Sequence, residues 1–469
     1  MKKRTYKRSS VKDVDAEFLR DRACSMGGAG TSVGLDIAKR EIVACVRWAN
    51  GEFERPWSIK NPTEIGELIE LLQHLKEVCD GLTIGLESTG TYSDAVRKAM
   101  TDAFLEVHRV SGKAVGDYKE IFDGVPSQHD GKDAAMIAEL TAFQKGTPWP
   151  YSADSDELLA MRHQVQRMDA FRTQATNWTS RLEGILARHW PEVSELLKLS
   201  SKTLLQTVLH YGSPAALAND ADAATQLRSW GRGQLKHAKI DRVIESARAT
   251  AGLPMNESEK RWAQEIAREA LNGLQQIDAC QKELKRLAHQ TEEMKPFIKS
   301  VGAVTLCVIW VTVGDPRKYG SAGALLKALG LNLKEISSGK RNGELGIAKR
   351  GPGLARKWLY YWALRGVQTA ELRGWYRDFQ QVGSGGTPRK SSGEHRKMKG
   401  LVAMMRKLCR SLWYTMRHDL EFDYAKVFPG KPLPPPPDRE RLSQPLGTEL
   451  LGTELVAPSH ESTTVPSST

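Results

Sequence analysis

Between residues 31 and 145, short apolar segments alternate with amphipathic segments of helical period. Three apolar runs come first, namely "SVGLDIA", "EIVACVRWA" and "EFERPWSI", and the turn pair Asn50-Gly51 joins the last two. Helix, strand, helix, strand and helix patterns follow, ending in "KDAAMIAELTAF". A three-stranded meander followed by this order is typical of an RNase H-like α/β fold, which we expect over residues 31–150.

In residues 151–295, apolar positions follow a three-four spacing that indicates two long helices. The first stretch keeps this spacing with polar gaps at Arg172 and Thr179, through Leu158, Met161, Val165, Met168, Ala175 and Leu182. The second keeps it without gaps, through Ile266, Ala270, Gly273, Ile277, Cys280, Leu284 and Leu287. We expect an α-helical coiled-coil region, formed between the two helices or with a partner chain. Ordinary bundle helices of a monomer are the alternative.

The remaining segments differ in composition. Residues 1–30 are predicted as a flexible basic arm, and residues 296–428 as a mainly α, strongly basic unit. Inside that unit, "IKSVGAVTLCVIW" and "GDPRKYGSAGALLKALGL" suggest a helix-hairpin-helix-like element, whose turn at Val301-Gly302 would offer backbone N–H groups to a phosphate. Residues 429–469 contain "PGKPLPPPPDRER" and the duplication "LGTELLGTEL", so we expect a disordered tail.

Charge and cysteine usage narrow the class of protein. The 469-residue chain has 68 Lys and Arg against 56 Asp and Glu, a net charge of +12. This excess favours a polyanionic partner, with a merely basic protein as the alternative. The six cysteines are scattered without a C-x-x-C pair, which argues against a zinc module and fits a reducing cytoplasm. No apolar segment follows the basic N-terminus, and "AVTLCVIWVTV" is too short to span a bilayer, so we expect a cytoplasmic protein without a membrane partner.

Four carboxylates occupy chemically suggestive positions of the predicted α/β domain. Asp36 stands between apolar residues in the first strand, and Glu87 ends the strand "TIGLE". A buried charge is costly unless something compensates it. Asp130 and Asp133, at i and i+3, face one side of the start of the last helix. Because the first and fourth strands are neighbours in this fold and the last helix packs over them, we expect the four side chains to converge.

Converging carboxylates repel one another unless a cation neutralises them. Mg²⁺ prefers oxygen ligands, and a pair of such ions stabilises the attacking and leaving oxygens in phosphodiester chemistry. The four acids are therefore predicted as catalytic Mg²⁺ ligands. Taken singly they have structural alternatives, since Asp133 would complement a helix dipole and Glu87 would cap the following helix.

A basic, glycine-spaced stretch, "SSGKRNGELGIAKRG", covers residues 337–351. It is interpreted as a phosphate-binding loop, although Ser-Ser-Gly alone is typical of an ordinary turn. The helix pattern "GPGLARKWLYYWALRG" follows, with aromatics that suit nucleic acid or a protein core, and "HRKMKGLVAMMRKLCRSLWYTMR" has a cationic face. The predicted nucleic-acid-binding residues are Lys340, Arg341, Lys349, Arg350, Arg356 and Lys357.

Taken together, these motifs resemble the IS one-ten (IS110) and IS eleven-eleven family of insertion-sequence transposases. The resemblance runs over residues 31–428 and is carried in order by "GLDIAKREI", "GLESTGTY", "HDGKDAAMIAEL", "SVGAVTL", "GDPRKYGSAGALLKALGL", "SSGKRNGELGIAKRG" and "MMRKL". The chain departs from the family pattern at "IKSVG", which lacks a proline and has Ser300 for a glycine, and at Pro352, where an asparagine is usual.

The resemblance implies a RuvC-like DEDD domain whose metal ligands correspond to Asp36, Glu87, Asp130 and Asp133, followed by a coiled coil and a serine transposase domain. The catalytic serine of the family precedes a glycine, which corresponds to Ser338, and Ser337 is the alternative if the correspondence shifts by one residue. The resemblance also implies an element-encoded guide (bridge) RNA that pairs with donor and target DNA. It further implies a dimer or tetramer on nucleic acid and a place at the bacterial nucleoid.

The expected function is that of an RNA-guided, site-specific DNA recombinase of an insertion sequence. The acids would bind magnesium and Ser338 would join covalently to DNA phosphate, with cations such as Lys340 and Arg341 stabilising the transferred phosphate. The alternative is a metal-dependent, RuvC-like, structure-specific nuclease that acts without a covalent intermediate. The nuclease would need the acids and not the serine.

Overall fold

The structure is a computed structural model that describes residues 7–87, 90–123, 129–338, 341–381 and 393–429. The chain divides into two compact units, Met1–Asp154 and Ser155–Thr469, which we call the N-terminal and C-terminal units. Lys340 and residues 430–469 of the predicted tail lie outside the described residues, so the predictions made for them stay predictions.

The N-terminal unit is a mixed α/β domain built on one sheet. Its elements, in chain order, are β1 (Ser9–Ser10), α1 (Ala16–Met26), β2 (Ser32–Ile37), β3 (Glu41–Arg47), β4 (Trp57–Lys60), α2 (Ile65–Val78), β5 (Thr83–Glu87), α3 (Asp94–Asp102), β6 (Glu106–Val110), α4 (Gly112–Asp123), α5 (Asp130–Ala142) and β7 (Thr147–Pro148).

The sheet order is β1-β4-β3-β2-β5-β6-β7. Strands β2, β3 and β4 form the predicted antiparallel meander, while β5 is parallel to β2 and β6 is parallel to β5. The α/β class of this domain is confirmed, and its central strand order is consistent with the predicted RNase H-like fold. The third strand is shorter than its pattern suggested, because only Trp57–Lys60 pairs continuously with β3.

Two helices of this unit were not predicted from the sequence. Helix α1 falls within the predicted flexible arm, where Asp15 caps it by accepting hydrogen bonds from the N–H groups of Glu17 and Phe18. Leu19 and Ala23 of α1 are buried in the core, so this part of the arm is folded, in contrast to the prediction. Helix α4 follows β6 directly and precedes the last helix, α5.

The C-terminal unit is mostly helical. Its helices are α6 (Asp156–His189), α7 (Val193–Leu196), α8 (Lys202–Tyr211), α9 (Pro214–Asn219), α10 (Ala223–Trp230), α11 (His237–Arg248), α12 (Glu257–Gln290), α13 (Ile298–Val301), α14 (Ala303–Val313), α15 (Ala322–Ala328), α16 (Gly353–Gly366), α17 (Ala370–Gln381), α18 (Gly393–Arg417) and α19 (Tyr424–Val427). Between α15 and α16, strands β8 (Leu333–Ser338) and β9 (Arg341–Ile347) form an antiparallel hairpin.

Helices α6 and α12, each 34 residues long, pack against each other in an antiparallel pair. The backbone of Gly273, in the middle of α12, lies close to Ala175, in the middle of α6, and His189 at the end of α6 reaches Glu259 near the start of α12. The polar gaps of the first pattern are buried as well, since Arg172 and Thr179 face inward. The two predicted helices therefore pair within the chain, and a coiled-coil supertwist stays a prediction.

One hydrophobic cluster runs through the C-terminal unit, from α6 to the end of the described chain. It includes the aromatics of α16, so Trp358, Tyr361 and Trp362 are core residues and not a nucleic-acid surface. The predicted segments 151–295 and 296–428 share this core.

A sharp turn at Gly302 separates α13 from α14. Gly302 has a φ of 92°, which favours glycine. The Arg365 guanidinium of α16 holds the turn by donating to Val301 O at 2.7 Å and to Thr305 Oγ1 at 3.1 Å. The helix-hairpin-helix-like role of this element stays a prediction. In the described part of the chain, no single helix is long and apolar enough to cross a membrane; 295–301 and 303–313 meet that criterion only as a pair, bent by 111°.

Candidate active site

Two of the four predicted acids are neighbours on adjacent parallel strands. The register pairs Gly34 of β2 with Gly85 of β5 and Leu35 with Leu86, so Asp36 and Glu87 follow at the same level. Successive strand residues point to opposite faces, so each acid shares a face with the glycine two positions before it. Asp36 and Glu87 therefore project from the same face of the sheet, at the carboxyl ends of their strands.

Those two glycines bring helix α5 into close contact with the sheet. A Cβ added at Gly34 would overlap Ala134 O and Ala138 N of the helix backbone, and one at Gly85 would overlap the Thr141 side chain. Ser32 Oγ also donates to Ala138 O at 2.8 Å. The helix lies directly on β2 and β5 because both strands lack a side chain there. The sequence contains the signal for this contact, because the pattern Gly-x-acid occurs twice, in Gly34-Leu35-Asp36 and in Gly85-Leu86-Glu87.

Helix α5 places the other two acids at the same end of the sheet. The helix begins at Asp130, where His129 Nδ1 accepts a hydrogen bond from Gly131 N at 3.1 Å, and Asp133 lies in its first turn. Because Ala134 and Ala138 lie over Gly34, the first turn points toward Asp36. The pKa of Asp36 is raised to about 6, first by burial and then by the negative charges of Asp133, Asp130 and Glu87. The other three acids are therefore close enough to Asp36 to act on its charge.

Glu87 lies in a similar electrostatic environment. Burial, followed by the charge of Asp133, raises the pKa of the Glu87 carboxyl, while Lys119 opposes the rise. Its carboxylate packs so closely against Gly112, the first residue of α4, that a Cβ there would overlap Glu87 Oε1. Helix α4 thus forms one wall of the acid cluster.

Two cations that the sequence analysis did not identify pair with the helix acids. Lys119 of α4 forms an ion pair with Asp133 Oδ1. Arg8, beside β1, lies 2.9 Å from Glu41 Oε2 and 3.4 Å from Asp130 Oδ2. Neither was identifiable from the sequence, because α4 was not predicted and Arg8 belongs to the predicted flexible arm.

The donor set suits a hard divalent cation. All four side chains offer carboxylate oxygens, which Mg²⁺ prefers, and Asp133 Oδ1 is shielded from solvent in contact with the Lys119 ammonium. Their mutual repulsion is relieved when a cation binds. Within the described ranges, no three of the Asp, Glu, His and Cys side chains are already arranged as metal ligands, so the cluster would rearrange on binding.

The serine stretch forms a β-hairpin, whereas the sequence analysis expected a loop. Ser338 is the last residue of β8, and its backbone pairs with Arg341 of β9 after an irregularity that follows Ile336. Ser337 Oγ donates a hydrogen bond to Glu335 Oε1 at 2.7 Å. Gly339 and Lys340 lie outside the described residues, as do the side chains of Ser338 and Arg341.

The predicted nucleic-acid-binding cations have different environments. Lys349 and Arg350, at the base of the hairpin, are exposed. Arg356 Nη1 donates to Leu329 O at 3.2 Å and to Gly351 O at 2.8 Å, so this side chain anchors the base of the hairpin. Lys357 is half-buried against α6, and burial followed by the nearby charge of Arg172 lowers its pKa. The structure therefore favours Lys349 and Arg350 for contact with nucleic acid.

Helix α18 adds a second basic surface to the C-terminal unit. Residues 397–417 contain no acid, and their cations are Lys397, Lys399, Arg406, Lys407, Arg410 and Arg417. Lys407 packs over the rings of Trp375 and Phe428, so it belongs to the core side of the helix. Lys397, Lys399, Arg410 and Arg417 are exposed.

Comparison with known families identifies both units. Residues 33–191 match the DEDD domain of IS110 elements, described as a transposase, and residues 297–378 match the "Transposase IS116/IS110/IS902 family". The chain therefore contains two regions that match transposase domains of the IS110 family. The first range contains the four acids and the second contains Ser338.

The chain also resembles a curated relative, "Insertion element IS110 uncharacterized 43.6 kDa protein" of Streptomyces coelicolor. The two are 24% identical over 245 residues, which cover 51% of this chain and 60% of the relative.

Proposed function

We propose that the protein is an RNA-guided, site-specific DNA recombinase that mobilises an insertion sequence. The observation that carries this proposal is the approach of Asp36, Glu87, Asp130 and Asp133 to one end of the sheet, within a matched transposase domain. A second matched transposase domain, which contains Ser338, supports a recombinase over a simple nuclease in this proposal.

In this proposal, the four carboxylates hold Mg²⁺ against the DNA backbone. A bound Mg²⁺ would polarise the phosphodiester and stabilise the charge that develops on its oxygens. The sheet carries Asp36 and Glu87, and the first turn of α5 carries Asp130 and Asp133, so side chains from these two packed elements would hold the ion.

The serine would carry the strand transfer. Ser338 Oγ attacks phosphorus, forming a Ser–O–P bond while the bond from phosphorus to one sugar oxygen breaks; the serine proton is released and the leaving oxygen takes up a proton as a hydroxyl. A DNA hydroxyl reverses the step on the second strand. Each exchange replaces one phosphodiester with another, so no high-energy cofactor is needed.

The guide RNA and the assembly rest on the family resemblance and on charge. The chain carries an excess of twelve positive charges, and residues 397–417 of helix α18 contain six Lys and Arg and no acid, both of which suit a polyanion. We propose that a bridge RNA encoded by the element pairs with donor and target DNA, and that two or four protomers act together on the nucleic acid.

The central test is a recombination assay on a plasmid carrying the element with its flanking DNA. Ser338→Ala and Asp36→Ala are each expected to abolish joined product, and Ser337→Ala, the matched neighbour, is expected to retain it. A covalent protein–DNA adduct, trapped with a nicked substrate and seen on a denaturing gel, should require Ser338. Wild-type levels of joined product in either of the first two variants would overturn the mechanism.

The same assay distinguishes the proposed recombinase from the nuclease alternative. A RuvC-like nuclease would cleave in a metal-dependent manner, form no adduct and be insensitive to Ser338→Ala. For the guide RNA, nucleic acid copurified with the protein is sequenced, and RNA from the element's flanks is expected. Light scattering of that complex should give two or four protomers, and a mass of one protomer contradicts the proposed assembly.

A further inference from the structure

The four acids of the cluster differ in how their charges are balanced. Each helix acid has a cationic partner, Lys119 for Asp133 and Arg8 for Asp130. The sheet acids Asp36 and Glu87 form no ion pair with any residue of the described ranges. The cations therefore lie on the side of the cluster formed by α4, α5 and the N-terminal segment.

The two ion pairs are unequal. Lys119 and Asp133 are each about four-fifths buried, with side-chain exposures of 20% and 21%. Arg8 and Asp130 are 3.4 Å apart, and the Asp130 side chain is 57% exposed, so solvent screens this pair. Lys119 is the cation that pairs with Asp133 Oδ1 among the described residues, so its ammonium balances the charge of that buried carboxylate.

The position of Lys119 follows from the packing of α4. The helix starts at Gly112, against the Glu87 carboxylate, and Lys119 lies two turns further along. Val115 of the same helix is buried with residues of α5, which holds α4 against the first turn of α5. Lys119 therefore reaches the acids from a packed helix and not from a mobile loop.

We propose that Lys119 is a positioning residue that occupies the cation position at Asp133 in the metal-free protein and is exchanged for a divalent cation. The inference rests on the proposed metal site and adds an internal competitor to it. A single ammonium balances one of four carboxylates, so it keeps Asp133 oriented without neutralising the cluster. A divalent ion that binds the cluster takes over Asp133 Oδ1 and displaces the ammonium.

The exchange has a distinctive consequence. Removing an ordinary structural lysine would destabilise the protein and weaken every property of the site. Removing a competing cation strengthens metal binding, because the divalent ion no longer has to displace a positive charge. It also destabilises only the metal-free protein, where Asp133 is left buried and without a partner.

The test measures Mg²⁺ binding to the full chain by isothermal titration calorimetry. Lys119→Met is expected to bind Mg²⁺ about tenfold more tightly than wild type, the effect of one charge near a divalent ion in a water-like dielectric. Lys119→Gln keeps a hydrogen-bond donor without the charge and is expected to change affinity in the same direction. Lys119→Arg keeps the charge and should bind like wild type.

Lys113→Met is the matched control. Lys113 lies on the same helix and pairs with Asp117 at 3.2 Å, but both side chains are exposed, so its removal should leave the Mg²⁺ affinity unchanged. Thermal unfolding provides a second measurement. Lys119→Met should unfold at a lower temperature than wild type in EDTA, and the two should converge at saturating Mg²⁺.

Unchanged or weaker Mg²⁺ binding by both Lys119→Met and Lys119→Gln would overturn the exchange while leaving the proposed metal site intact. Wild-type protein that binds no Mg²⁺, or binding that survives Asp36→Ala, would overturn the metal site itself and the exchange with it. The two failures are thus distinguishable in one set of titrations, without measuring recombination.

Discussion

The acid cluster and the serine hairpin are built in opposite ways. The acids stand on two central strands and on a helix that touches the backbone of those strands, so the elements that carry them are packed together. Ser338 is the last residue of β8, which pairs with β9 alone in the described part of the chain. Leu333 and Leu345 of this hairpin are exposed. Two strands alone are marginally stable in water. The backbone that carries the acids is therefore held by packing on both sides, whereas the strand that carries Ser338 has a single partner strand among the described residues.

The largest effect on the acid cluster is expected from a substitution that separates α5 from the sheet. Gly34→Ala places a methyl group against the backbone of Ala134 and Ala138, which cannot move aside as a side chain would. We expect a loss of about 3 kcal/mol in the free energy of unfolding, together with loss of Mg²⁺ binding. Urea denaturation and calorimetry measure the two effects.

Gly66→Ala is the control for that substitution. Gly66 lies in helix α2, and no neighbouring atom lies within 4 Å of the place that a Cβ would occupy, so alanine should be neutral or stabilising by about 0.5–1 kcal/mol. A Gly34→Ala protein as stable as Gly66→Ala would show that α5 does not depend on the close approach.

The next effect concerns the charge of Asp36 in metal-free protein. Its folded-state pKa, about 6, lies above the ordinary aspartate pKa of 3.8, so the folded protein binds more protons than the unfolded chain between these pH values. Stability from this group is present below pH 4 and is lost as the pH rises through 6. In EDTA, Asp36→Asn should therefore unfold at a higher temperature than wild type at pH 7 and at a similar temperature near pH 4.

Glu87 contributes a dependence of the same sign, because its pKa is also raised. The Asp36→Asn protein should thus keep part of the pH dependence. Identical pH profiles for wild type and Asp36→Asn would show that the repulsion among the acids is already compensated without metal.

On the hairpin side, the largest effect is expected at its anchor. Arg356→Met keeps the apolar stem and removes the hydrogen bonds to Leu329 O and Gly351 O, which should cost about 1–2 kcal/mol. Arg377→Met, which breaks only an exposed contact with Asp378, should cost less than about 0.5 kcal/mol. Equal losses in a urea titration would remove Arg356 as the anchor.

The smallest change in stability should follow from the exposed cations of the hairpin base. Lys349→Gln and Arg350→Gln are expected to alter the free energy of unfolding by less than about 0.5 kcal/mol. Each should weaken binding to a DNA duplex of unrelated sequence and reduce the slope of log affinity against log salt by about one, as for one lost phosphate contact. Unchanged salt slopes would place the phosphate contacts elsewhere.

Much of the N-terminal unit was predictable because its pattern is local. The buried strands and the four acids were placed correctly by alternation and by their position at element ends. Helix α4 was missed, and with it Lys119, although Val115, Tyr118 and Phe122 of "GKAVGDYKEIFD" follow a helical spacing that the sequence offers. Which lysine pairs with Asp133 is decided by tertiary packing, which a one-dimensional pattern does not contain.

The C-terminal unit shows a different limit. Heptad-like spacing predicted α6 and α12, yet it did not show whether each pairs within the chain or with a partner. The glycines of "RNGELGI" interrupt the strand pattern, so β9 was interpreted as a loop, although its backbone pairs with β8. Basic residues were grouped by proximity in sequence, and only the fold separates exposed Arg350 from the anchoring Arg356.

The paired helices α6 and α12 have a mechanical consequence. At 1.5 Å per residue, 34 residues make a rod of about 51 Å, the length of about 15 base pairs of duplex DNA. The near-contact of Gly273 with Ala175 at mid-length fixes how the two halves of the rod are aligned. A deletion in one helix must therefore be matched by a deletion of equal length in the other. The lengths of the two helices are thus constrained to change together.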